Sequence, residues 1–86
     1  FNVQMVIIGN SERRQHFHET DEDVNQKIKT ALKHNFIPVF CVGEELKVRE
    51  AGQAEQWVTS QITAGIKDLT KEQMEKLIVA YEPIWA

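Results

Sequence analysis

The run Ile37-Pro38-Val39-Phe40-Cys41-Val42 (IPVFCV) is apolar without alternation. A strand with one face in water would alternate apolar and polar residues. A continuous Val/Ile/Phe run fits a strand covered on both faces, the habit of parallel sheets. Pro38 stands at the start of the run, where a missing ladder donor does least harm. Two runs of the same kind flank it, Gln4–Ile8 (QMVII) and Leu77–Tyr81 (LIVAY). The spacing of roughly 30 to 40 residues leaves room for the crossover connection that parallel strands require.

The intervening segments read as helices. Val24, Ile28, Ala31 and Leu32 fall at i, i+4, i+7 and i+8, on one face. Thr20 fits an N-cap, and Asp21, Glu22 and Asp23 load the first turn with the charge that a helix N-terminus favours. Lys33 and His34 fall in the last turn, and Asn35 fits a C-terminal stop. Downstream, Ala54, Val58, Ile62 and Ile66 repeat at i+4 with Trp57 alongside, a position expected to be core or half-buried. Gly52 weakens the start of that helix, so Leu46–Ala51 is expected to be a separate piece. Thr70-x-x-Gln73 reads as a capping box opening a short helix before the last strand. The expected fold class is α/β, a parallel β-α-β-α-β unit with right-handed crossovers.

Composition excludes several classes of function. The 86 residues carry 10 basic and 13 acidic side chains, a formal charge of −3, spread along the chain. That distribution argues against nucleic acid or an anionic membrane as partner. The longest apolar run is the seven residues Phe36 to Val42, far short of the about 20 that a spanning helix needs. The single cysteine, Cys41, excludes an internal disulfide or a thiolate metal cage and suits a reduced, cytosol-like compartment. His16-x-His18-Glu19 lacks a shared helix face and a third ligand, so no metal site is expected there. The four glycines form neither a G-x-G-x-x-G motif nor a P-loop. With no initiator Met, no charged leader and no finished-looking terminus, the chain is expected to be an internal piece of something longer.

If the strands are parallel, the residues just after each one share an edge of the sheet. They are Gly9-Asn10-Ser11-Glu12, Gly43-Glu44 and Glu82-Pro83. Ligands of α/β folds bind outside the carboxyl ends of the strands, and nothing comparable collects before them. Glu82 ends an apolar run and precedes Pro83 and Trp85. Partly desolvated carboxylates of this kind serve as general bases, but a capping or ion-paired glutamate also fits. Asn10-Ser11 fits a helix cap or turn, and Glu12-Arg13-Arg14 a solvated surface or an interface. Cys41 reads as a small packed hydrophobe, whereas Trp85 stands where a core residue is not expected.

These motifs resemble a known family. Gly9-Asn10-Ser11-Glu12-Arg13-Arg14 is similar to the G-H-S-E-R-R segment of the triosephosphate isomerase family. Cys41-Val42-Gly43-Glu44, followed by Arg49-Glu50-Ala51-Gly52, resembles its C-(I/V)-G-E…R-E-A-G stretch, and Ala80-Tyr81-Glu82-Pro83-Ile84-Trp85-Ala86 its A-Y-E-P-(V/I)-W-A signature. The resemblance covers essentially the whole chain, in order. It implies that residues 1–86 are the central part of a single (β/α)₈ TIM-barrel domain, from its fourth strand to its sixth. It further implies a cytoplasmic enzyme of glycolysis and gluconeogenesis, usually a homodimer, that interconverts dihydroxyacetone phosphate and D-glyceraldehyde 3-phosphate without metal or organic cofactor. On this resemblance Glu82 is the catalytic base and Pro83, Ile84 and Trp85 the hinge of a lid. Glu12 is a carboxylate behind the site, Ser11 its neighbour, and Arg13 a residue near the dimer interface. Cys41 packs behind the base, and Glu44 helps to latch the lid tryptophan.

Two departures from the family pattern stand out. The family's catalytic histidine is replaced by Asn10, which can donate a hydrogen bond but has no titratable proton to relay. The family's Asn-x-Lys and its phosphate-binding glycines and serine have no counterpart in these residues. The 86-residue chain alone is therefore expected to be inactive, and its parent impaired at Asn10. The alternatives are a catalytically silent relative that binds ligands or assembles with a partner, and a free-standing small α/β binding module.

Overall fold

The computed structural model describes residues 4–82 and 84. The order of elements is β1 (Met5–Ile8), α1 (Ser11–His16), α2 (Asp21–Lys33), β2 (Ile37–Val42), α3 (Leu46–Glu50), α4 (Ala54–Gly65), α5 (Lys71–Glu75) and β3 (Ile78–Tyr81). The strands form one parallel sheet in the order β1-β2-β3. Ile8 pairs with Phe40, and Val42 with Tyr81. Consecutive strands are thus neighbours, and each connection is helical, as the three apolar runs predict.

The helix boundaries follow from local chemistry. Thr20 caps α2 through its hydroxyl, which accepts from Asp23 N, while the Asp23 carboxylate accepts from Thr20 N. At the other end Asn35 adopts φ +63, the left-handed conformation that asparagine tolerates, and the chain turns into β2. Thr70 and Gln73 close the same reciprocal box on α5. Gly52 takes φ +75 between α3 and α4, so Leu46–Glu50 is indeed a separate short helix.

Side chains alternate across the sheet. Ile8, Phe40 and Val42 point to the face covered by α2 and α4, where they join Val24, Ile28 and Ala31 in the core, with Val58 and Ile62 packed against it. Met5 and Ile7 point the other way and are 63% and 66% exposed. Asn25, buried on α2, donates to the carbonyls of Gly65 (2.8 Å) and Lys67 (3.0 Å). It thereby satisfies acceptors that the end of α4 leaves open and ties the two helices together. Gly65 meets the Phe40 ring directly, since a Cβ there would lie 2.3 Å from Cζ. Trp57 is 48% exposed and lies on the surface of α4.

Candidate active site

The carboxyl ends of the strands bring together Asn10, Ser11, Cys41, Gly43, Glu44 and Glu82, and each is held by a neighbouring element. β1 ends at Gly9, whose φ of +77 turns the chain into α1. The Gly9 carbonyl accepts from Arg14 Nε at 3.0 Å, and Arg14 also pairs with Asp21 at 2.6 Å. Asn10 is the N-cap of α1, and its Oδ1 accepts from Arg13 N at 2.9 Å. The cap reading of Asn10 is therefore correct, and its amide NH₂ is the end that can face a ligand.

Glu82 follows β3. Its backbone N–H donates to Val42 O at 2.7 Å, extending the ladder by one residue. Its carboxylate Oε1 accepts from Ser11 N at 2.9 Å, in the first turn of α1. The cap residue Asn10 and the carboxylate of Glu82 thus meet at the start of one helix, although 71 residues separate Ser11 from Glu82. Backbone N–H groups at a helix start have no intrahelical acceptor, which is why a carboxylate settles there.

Cys41 is buried in β2, on the sheet face opposite the helices. Burial pushes its thiol above the ordinary cysteine value, the Glu82 carboxylate adds to this, and the charge of Arg14 opposes it. These surroundings favour the neutral thiol and disfavour the thiolate that a nucleophile would need.

Glu44 is only 1% exposed. Its carboxylate accepts from the hydroxyl of Tyr81, and Arg49 Nη1 lies 3.7 Å away. Pro83 and Trp85, the residues expected to complete the lid hinge with Ile84, lie outside the described residues. Ile84 lines a cavity of about 290 Å³ with Ser11, Gly43, Trp57 and Gln61. Glu12 is exposed in the first turn of α1. Arg13 stacks 4.6 Å from the centre of the Phe17 ring and pairs with Glu19 at 3.7 Å.

Some polar residues at or near the site carry no local sequence signal. Gln61 is buried on α4 and accepts from Gly43 N at 2.9 Å. Glu19 is buried and paired with Lys27, and it belongs to the His16-x-His18-Glu19 stretch. The charged partner, Lys27, lies nearly two helical turns into α2, too far along the chain to flag it. Among the described residues no group of three or more His, Cys, Asp or Glu converges as a metal site requires.

The family model for triosephosphate isomerase matches residues 1–86. The chain belongs to the triosephosphate isomerase family. It is 56% identical over 84 residues to a triosephosphate isomerase of Latilactobacillus sakei, covering 98% of this chain and 34% of that protein. It is 58% identical to those of Lactobacillus delbrueckii subsp. bulgaricus and Clostridium botulinum, again over 98% of this chain and 33% and 34% of theirs. The chain spans about a third of the length of the curated relatives it matches. The parallel β-α-β-α-β unit is thus a partial segment of this family's barrel, and its site lies at the barrel face where such folds carry chemistry.

Proposed function

We propose that the longer protein containing this chain is an isomerase interconverting dihydroxyacetone phosphate and D-glyceraldehyde 3-phosphate. The observation that carries the reading is the meeting of Glu82 and Asn10 at the start of α1, supported by family membership. Glu82 takes the proton from the carbon beside the substrate carbonyl and returns it to the carbonyl carbon, while the proton of the adjacent hydroxyl passes to the former carbonyl oxygen. Asn10 Nδ2 donates a hydrogen bond to a substrate oxygen as negative charge develops there. Ile84, with Pro83 and Trp85, forms the hinge of a lid whose closure expels water from the site. Binding of the phosphate and of the developing oxyanion requires the lysine and glycine loops that have no counterpart here, so activity belongs to the longer protein alone.

The same reading includes a homodimer with Arg13 near the interface, a cytoplasmic setting, a place in glycolysis and gluconeogenesis, and no need for a metal or organic cofactor. Asn10 favours a second reading, a catalytically silent relative retained for ligand binding or assembly. The two are separated by assaying the full-length protein before and after Glu82→Gln. The isomerase reading expects measurable turnover that falls by about 10²–10⁴ on removal of the base. Tight binding of a transition-state analogue with no turnover in the unmodified protein would support the silent relative.

A further inference from the structure

Gln61 is a buried carboxamide near the reacting groups for which the chemistry above has no use. It exposes 7% of its surface, and its Oε1 accepts from Gly43 N at 2.9 Å. Gly43 in turn lies flush against Glu82, because a Cβ built on it would come within 1.9 Å of the Glu82 carbonyl oxygen. The Glu82 N–H is already bound to Val42 O, so the backbone of Glu82 rests on the Val42–Gly43 end of β2. α4 is seated for this purpose one turn further on, where Gly65 packs on the Phe40 ring. Residues four apart share a helix face, so the contact that seats Gly65 also aims Gln61 at the strand end.

We infer that Gln61 is a positioning residue for Glu82: by holding the Gly43 peptide it fixes where the base's carboxylate stands relative to Ser11 and the substrate. The inference deepens the isomerase reading and rests on it for its kinetic consequences. An apolar side chain of the same length would fill the same space on α4 but would leave Gly43 N–H without its acceptor. A carboxylate would fill the space and keep an acceptor.

The test uses the full-length protein with Gln61→Met and Gln61→Glu. One arm measures amide hydrogen exchange at Ser11, whose N–H is bound to Glu82 Oε1, and the other kcat and KM for the triose phosphate. Gln61→Met is expected to speed exchange at Gly43 and Ser11 about tenfold or more while leaving Phe40 unchanged. It is also expected to lower kcat about tenfold or more with KM within about twofold, since small misplacements of a reacting group are costly. Gln61→Glu restores both. If Gln61→Met does not fold, Gln61→Asn, which draws the carboxamide back by one methylene, carries the same expectation. Unchanged exchange at Ser11, or an unchanged kcat beside a lowered melting temperature, would overturn the inference. An unmodified protein without turnover would defeat the isomerase reading, and the exchange arm would still decide the role of Gln61.

Discussion

Asn10 caps α1 with one end of a short amide, and the proposed reaction uses the other. Its oxygen caps α1 at Arg13 N, which leaves only the NH₂ group for a substrate. An imidazole at this position has the same two-ended layout, with one nitrogen to accept from the helix and the other to donate outward, and it can also carry a proton. In the full-length protein Asn10→His is therefore expected to raise kcat by about 10²–10⁴, the usual worth of a positioned general acid. A rate unchanged within a factor of a few would show that this position does not relay a proton. Cys41 sits close by, but burial and the Glu82 carboxylate keep its thiol protonated. In the proposed reaction its part is volume behind the base. Both residues are legible in the sequence, Asn10 from its place between a strand and a helix and Cys41 from its apolar neighbours. The bond from Ser11 N to Glu82 is not, because it depends on how β1 and β3 flank β2.

At the scale of elements, the parts read correctly are those set by local rules. The capping box at Thr20, the reversal at Asn35 and the unbroken apolar run of β2 each follow from a few adjacent residues. The interior of α4 is different. Its apolar repeat marks a helix, yet the buried positions include Gln61 and Gly65, chosen by the Gly43 amide and the Phe40 ring. Asn25 is buried on α2 for a similar reason, since its partners are the last carbonyl of α4 and one just beyond its end. The Thr20 cap offers a clean measurement. Hydrogen bonds from the Thr20 backbone and side chain hold the Asp23 carboxyl below its ordinary value, with Lys27 adding to them. The unfolded state therefore takes up this proton first on acidification. The contribution is full above the ordinary carboxyl range and is lost as pH falls through the depressed folded value. Thr20→Ala in the full-length protein is expected to cost about 1 kcal/mol at neutral pH in denaturant unfolding. The penalty should shrink in strong acid. No shift of the midpoint at neutral pH would contradict the capping account.

The whole molecule is built around a one-sided sheet. α2 and α4 cover one face, while Met5, Ile7 and Ile78 on the other stand open to solvent. A hollow of about 510 Å³ lined by Val6, Ile8, Ala31 and Phe36 runs beside β1, where a further strand and helix of a barrel would lie. A free-standing binding module would leave this apolar surface and both sheet edges to water, an arrangement prone to association. The same surface is natural in a barrel, where inward side chains pack in layers. The apolar runs in the sequence foretell strands covered on both faces, and only the neighbours missing from these residues can supply the second cover. The proposed chemistry shares that dependence, because under that reading Glu82 and Asn10 need a phosphate grip and a cationic partner for the oxyanion. The measurement that bears most directly on the proposal is solvent exchange. The full-length protein, with Asn10 and with Asn10→His, is incubated with dihydroxyacetone phosphate in deuterium oxide. Deuterium should enter at the carbon beside the carbonyl, faster with histidine, and Glu82→Gln should slow its entry by about 10²–10⁴. Failure of both forms to label the substrate, or labelling at an undiminished rate after Glu82→Gln, would contradict the assignment of Glu82 as the base.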